Sequence, residues 1–201
     1  MPNEHPRECH PPLLSPFRSS AFPSDLNLNL RPRRPQRIQI DAHTRPFATI
    51  GWNVSEIGLG TWQLGADWGD VRDDEAIAIL RAAADSGVNF FDTADVYGLG
   101  RSESLIARFL AERGRKDFYV ATKMGRFPQP GWPDNFRLDV MRQHVDASAN
   151  RLGVETLDLT QLHCIPTDEL RRGDVFDHLR TLQKEGRIQT KLASVYPRIK
   201  V

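Results

Sequence analysis

The segment Val88-Asn-Phe-Phe-Asp92-Thr-Ala-Asp-Val-Tyr97-Gly98 is apolar, apart from Asn89, until it meets Asp92, and a tyrosine and a glycine close it. A short apolar run bounded by turn and polar residues reads as a buried strand. Working outward, the arrangement recurs twice. Phe118 to Ala121 reads as a strand running into Lys123, and Leu157 to Leu162 as one running into His163. Helical spacings lie between. Ala76, Ile77, Leu80, Ala83 and Ala84 follow a capping Asp73 and precede Gly87. Leu105, Ile106, Phe109 and Leu110 precede Gly114. Leu138, Met141, Val145, Ala149 and Leu152 precede Gly153, and Val175, Phe176, Leu179 and Leu182 precede Gly186. Glu56 to Gly60 adds an earlier strand, and Ile188 begins a fifth.

Strands alternating with helices imply parallel pairing, because each crossover returns the chain to the same end of the sheet. An open doubly wound sheet and a closed (β/α)8 barrel both fit that rhythm. The open sheet needs a glycine-rich phosphate loop leading directly into a helix. Gly58-Leu-Gly60-Thr-Trp-Gln lacks the third glycine and leads into a long Trp-containing loop, which disfavours that reading. Three consecutive strands closed by ionisable residues favour the barrel, whose active sites gather at the C-terminal mouth. Singly, Asp92 reads equally as a turn cap, Lys123 as a solvated strand end and His163 as a buried imidazole. Their shared register, with Tyr97 nearby, selects a site.

Gly60-Thr61-Trp62, Asp92-Thr-Ala-Asp-Val-Tyr97-Gly, Thr122-Lys123 and Gln161-Leu-His163 resemble the ordered motifs of the aldo-keto reductases. Gly98-Leu-Gly100-Arg-Ser-Glu103 resembles the opening of that family's second helix, and the likeness runs from roughly Thr44 to Gln189. It implies a catalytic tetrad of Asp92, Tyr97, Lys123 and His163, NADPH extended across the barrel mouth, and a small-molecule carbonyl substrate. Gly60, Thr61, Trp62 and Asp92 would lie near the nicotinamide. Ser194, in the faint match Ala193-Ser194-Val195, would bind its carboxamide. Trp62 and Trp68 are candidates for the substrate pocket, with a core or surface role for Trp68 left open. Asp67 and Asp70 read as solvated loop residues and Cys164 as a packing residue.

The residue types suit that chemistry. Reducing a carbonyl takes a hydride at carbon and a proton at oxygen. Tyrosine alone is a weak acid, with a reference pKa of about 10. A lysine cation beside it stabilises the phenolate, desolvation opposes this, and the net result is an acid nearer the working pH. Asp92 would keep a buried lysine charged. His163 would either hydrogen-bond the substrate oxygen or help relay its proton. No side chain donates hydride, so a cofactor must be brought in.

The flanks differ from this middle. Residues 1–43 are dense in proline and arginine, from Pro2 and Arg7 to Pro35 and Arg37, without apolar periodicity. They read as a disordered extension or the product of an early start codon, with a targeting or interaction arm as the alternative. No secretory pattern is present in them. His5, Cys9 and His10 lack a fourth ligand, so no metal site is expected, and Asn53-Val54-Ser55 reads as a chance sequon. Residues 44–201 are expected to form the barrel segment. With 27 Lys+Arg against 26 Asp+Glu, the net charge of +1 gives no field to draw nucleic acid or an anionic membrane. No apolar run approaches the ~20 residues of a spanning helix. Two cysteines are too few for a disulfide framework, and a reduced, cytoplasmic setting is the expectation.

Past the fourth helix the pattern departs: Lys191-Leu192 stands where the family usually has an aromatic residue and a glycine. A barrel of this class typically needs about 250 residues. The sequence therefore reads as truncated or diverged, with four to five βα units. It lacks the later loops that in the family hold the adenosine and its 2′-phosphate. Two function classes follow. One is an NADP-dependent oxidoreductase of aldehydes or ketones. The other is a non-catalytic fragment or half-barrel needing a partner, with self-association through open barrel edges.

Overall fold

The computed structural model describes residues 43–47, 50–65 and 69–195, with side chains described to residue 191. Expectations for the N-terminal extension, for Asp67 and Trp68, and for the side chain of Ser194 fall outside it.

An antiparallel hairpin comes first, β1 (Thr44–Phe47) with β2 (Trp52–Ser55). Five parallel strands follow: β3 (Leu59–Gly60), β4 (Phe90–Asp92), β5 (Tyr119–Met124), β6 (Leu157–Ile165) and β7 (Ile188–Val195). They lie side by side in chain order. The crossovers are α1 (Asp73–Asp85), α2 (Arg101–Arg113), α3 (Leu138–Leu152) and α5 (Asp174–Lys184), with a short α4 (Thr167–Arg172) ahead of α5. That order decides between the two architectures. A doubly wound sheet reverses its strand order at a switch point. Here every crossover advances one strand in the same direction, which with constant handedness puts all the helices on one face. Accordingly α1 packs on α2, α2 on α3 and α3 on α5. The architecture is that of the (β/α)8 barrel, of which the described residues supply five parallel strands.

Several boundaries differ from the expectation. The first strand is only Leu59–Gly60. Asp73 is the first residue of α1, not its cap; its carboxylate instead takes Arg101 Nη2 and Arg108 Nη1, each at 2.7 Å. β6 continues past His163 to Ile165, with a register shift against β7 between Leu162 and Ile165 and a left-handed φ of 54° at Cys164. The irregularity falls beside His163, and bulges recurrently re-aim a side chain in this way.

Period-2 alternation assigns the two faces. Phe91, Val120, Met124 and Leu162 join the large core under the helices, with Phe91 edge-on to Phe109 of α2 at 5.6 Å. The opposite face carries Phe90, Tyr119, Ala121 and Leu159 at its N-terminal end, in a second apolar cluster with Trp52, Val54 and Phe47 of the hairpin. Trp52 stacks on Tyr119 at 4.6 Å and Phe47 on Phe90 at 6.1 Å. The hairpin thus closes the floor of the inner face. Its Ser55 and Asn53 are tied to Asn89, the one polar residue of the apolar run before β4: Ser55 N–H donates to Asn89 Oδ1 at 2.7 Å, and Asn89 Nδ2 to the Asn53 carbonyl at 2.9 Å.

Candidate active site

Further along the same inner face apolar residues give way to polar ones: Asp92 on β4, Lys123 on β5, Gln161 and His163 on β6. Register aligns Asp92 with Ala121 and Lys123 with Gln161, so the four converge at one end of the sheet. Lys123 is the centre. Its ammonium donates to Asp92 Oδ1, to the Thr93 carbonyl at 2.9 Å and to Tyr97 Oη at 3.2 Å. The lysine side chain is only 11% exposed, so a paired carboxylate is required to keep its charge. Gln161 Nε2 donates to the other Asp92 oxygen at 2.9 Å, fixing the carboxylate at both ends.

Tyr97 is placed by its loop. Gly65 and Gly98 pass so closely that a Cβ on Gly98 would sit 2.4 Å from the Gly65 carbonyl oxygen, and Gly98 has φ +58°. Only glycine satisfies both conditions. Arg101 ties the same crossing by donating to the carbonyls of Leu64 and Val71, each at 2.6 Å. Trp62, 43% exposed, stacks on Tyr97 at 5.9 Å with 17° between the ring planes. His163 meets Tyr97 edge-on at 5.9 Å. Burial, then the charges of Lys123 and Arg126, push the His163 pKa down to about 4, so the imidazole is neutral at physiological pH.

The structure therefore brings together Asp92, Tyr97, Lys123, His163 and Trp62. Thr61 is in place but fully buried. Its hydroxyl donates to the Asp92 carbonyl at 2.9 Å and accepts from Ser102 Oγ at 2.8 Å, so its side chain braces β4 instead of facing the mouth. At Gly60 an added Cβ would meet nothing within 4 Å, leaving open backbone beside Asp92. Ser194 lies in β7. A cavity of about 310 Å³ opens next to His163, lined also by Gly125, Arg126, Phe127, Trp132 and Asn135. Cys164, half-buried, borders it as well. Asn135 shapes the Gly125–Arg137 loop, donating to the Gly125 and Phe127 carbonyls at 3.2 and 2.7 Å.

Sequence reasoning gave no role to Gln161, although it lies two residues before His163 on a strand and so on the same face. It also passed over Asp95, which is 1% exposed with neither carboxylate oxygen hydrogen-bonded. Burial, then the neighbouring Glu103, raise the Asp95 pKa to about 7. Among the described residues no cluster of three or more His, Cys, Asp or Glu side chains could hold a metal ion. Nor is any described helix long and apolar enough to cross a membrane.

Residues 56–192 match the model of the aldo/keto reductase family. An L-galactose dehydrogenase of Arabidopsis thaliana is 33% identical over 147 residues, covering 71% of this chain and 45% of that protein. A D-threo-aldose 1-dehydrogenase of a Pseudomonas species is 34% identical over 137 residues, 58% of this chain and 42% of that protein. Among solved structures, an aldo-keto reductase of Bacillus halodurans in its holo form superposes with a TM-score of 0.66 at 30% identity, over 77% of this chain and 50% of that one. The chain belongs to the aldo/keto reductase family and spans about half the length, or less, of these curated relatives.

Proposed function

We propose that this aldo/keto reductase transfers hydride between NADPH and a small aldehyde or ketone, with Tyr97 as the proton donor. The observation that carries the reading is the Lys123 ammonium held between the Asp92 carboxylate, the Thr93 carbonyl and the Tyr97 hydroxyl. Two relatives are named for dehydrogenating L-galactose and D-threo-aldoses, and the reverse of such reactions is carbonyl reduction.

The exposed ring of Trp62, the open backbone at Gly60 and the part-exposed Asp92 carboxylate leave a flat, uncrowded surface beside Tyr97. Those residues suit a nicotinamide ring, and Ser194 is assigned to its carboxamide. NADPH, when bound, supplies the hydride. The chain's own residues handle the proton. Tyr97 Oη–H gives it to the carbonyl oxygen, and the ammonium 3.2 Å away stabilises the phenolate left behind. Asp92, anchored by Gln161, holds that ammonium in place. A neutral His163 serves as a hydrogen-bond partner of the substrate oxygen, since an imidazole with a pKa of about 4 carries no spare proton near neutrality.

Tyr97→Phe keeps the ring's packing on Trp62 and removes the proton. Carbonyl reduction should fall by about 100-fold or more while NADPH fluorescence titration is unchanged. Near-normal turnover with chemistry rate-limiting would remove Tyr97 from the role.

A second reading is association through the edges of the sheet, favoured by β3 and β7, each paired on one side only among the described residues. Such edges are templates for association. Light scattering at several concentrations, beside NADPH-dependent reduction of a generic aldehyde, separates an active monomer from self-associating, inactive chains. We place the protein in the cytoplasm.

A further inference from the structure

Behind the mouth lies a buried polar cluster that proton transfer at Tyr97 does not use. Two ion pairs fill most of it. One is Lys123 with Asp92. The other is Glu103, with no exposed surface, whose carboxylate accepts from Arg151 Nε at 2.6 Å and from Thr122 Oγ1 at 2.5 Å. Arg151 also donates to Ser148 Oγ at 3.1 Å. Each cation there already has its carboxylate. Asp95 is the additional acid: it is buried, neither oxygen has a side-chain hydrogen-bond partner, and His144 Nδ1 lies 3.9 Å from Oδ2. That nitrogen is also buried and unpartnered. The Asp95 carboxylate and His144 Nδ1 are thus neighbours without side-chain partners, and such buried atoms are costly unless a proton joins them.

The tautomer decides where that proton sits. His144 Nε2 lies 3.1 Å from the Gln129 carbonyl oxygen. A carbonyl only accepts, so Nε2 carries the hydrogen and Nδ1 of the neutral ring is an acceptor. Nδ1 therefore needs a donor, and the group opposite it is Asp95. Closing the gap by about 1 Å makes the hydrogen bond.

We propose that Asp95 and His144 share one buried proton, and that this pair pins the Gly125–Arg137 loop to the strand end carrying Asp92 and Tyr97. Both ends of the pin are visible. Asp95 N–H donates to the Lys123 carbonyl at 3.0 Å, from within the loop between Asp92 and Tyr97. His144 reaches from α3 to the Gln129 carbonyl and packs its ring 5.5 Å from Phe127. Phe127 borders the cavity that opens beside His163. Asp95 and His144 are positioning residues, and their pairing stands independently of the reductase reading. Every charged neighbour acts in a stated direction. Burial and Glu103 favour the protonated acid, whereas Arg151, the Val96 backbone N–H and Lys123 oppose it. Burial and Arg151 also push the His144 pKa below its ordinary value, against the Gln129 hydrogen bond. The pin should therefore hold below pH about 7 and loosen as Asp95 ionises above it.

The test is backbone and imidazole NMR of the full chain through the interval around pH 7, with amide exchange of the Gly125–Arg137 loop. The ring nitrogens of His144 in the unaltered chain should report hydrogen on Nε2 and an accepting Nδ1. The loop amides should titrate with a midpoint of about 7 and exchange faster above it. Asp95→Asn supplies a permanent N–H donor to Nδ1, so it should flatten the titration and keep the loop protected at the alkaline end. His144→Phe keeps the ring contact with Phe127 and should leave the loop fast-exchanging throughout. Hydrogen on Nδ1 of a neutral His144, loop signals indifferent to pH, or an unchanged titration in the Asn variant would each overturn the proposal. If Asp95→Asn fails to fold, the ring-nitrogen signature of the unaltered chain decides alone.

Discussion

At the N-terminal ends of β4, β5 and β6 the inner face of the sheet presents Phe90, Tyr119 and Leu159; at the C-terminal ends it presents Asp92, Lys123 and His163. The same three strands with the same alternation yield a floor that is sealed and a mouth lined with ionisable groups. The floor is held by area. Trp52, Phe47 and Val54 of the hairpin lie on it, and non-directional burial needs only shape and volume. The mouth is held by pairing. Each charge requires an answering charge or donor at hydrogen-bond distance, as Asp92, Lys123 and Gln161 supply for one another. Substitutions in the floor should therefore cost stability and spare chemistry, and those in the mouth the reverse.

The largest expected effect is in the mouth. Lys123→Met removes the cation beside Tyr97 and should lower carbonyl reduction by about 100-fold or more, measured as NADPH oxidation under saturating aldehyde. A loss of less than tenfold would show that the phenol does not depend on its neighbour. Next comes the floor. Trp52→Ala empties the stack on Tyr119 and should cost about 3–5 kcal/mol in urea unfolding, while the residual folded fraction binds NADPH as before. If binding fell in step with stability even under fully folding conditions, floor and mouth would not be separable.

The most gradual effect, spread over several pH units, sharpens the boundary between the two. The folded Asp95 pKa, about 7, lies above the unfolded value of 3.8, so the folded chain keeps a proton that the unfolded chain has released. Stability therefore falls with rising pH between those values and levels off above the upper one. Asn carries no such term. Asp95→Asn should match the wild type at the acid end of the window and gain on it by on the order of 1 kcal/mol per pH unit toward the upper end. Urea midpoints of both chains across that window measure the difference; parallel curves would mean that Asp95 is ionised throughout.

Much of the mouth is legible in the sequence, because strand ends announce themselves. An apolar run that stops on Asp92, Lys123 or His163 leaves few places for the charge except the rim. The floor was not legible. Thr44–Phe47 and Trp52–Ser55 are short and carry no long periodicity, and their partners Phe90 and Tyr119 are remote in sequence. The same distance hid the Asp95–His144 pair and the buried commitment of Thr61, whose hydroxyl partners come from β4 and α2. β6 ran past its expected end because a register shift, unlike a turn, leaves no local compositional mark.

The sequence by itself determined the alternation of strands and helices, the family resemblance and the candidacy of Asp92, Tyr97, Lys123 and His163, since these rest on local spacing and on residue chemistry. Only the tertiary structure decided the strand order that excludes an open doubly wound sheet, the hairpin that seals the floor and the reach of Lys123 to three acceptors. It alone also isolated Asp95 among pairs already neutralised. Those are facts of which distant residues share one small, water-poor volume, where an unanswered polar atom is costly, and no local pattern in a chain records that.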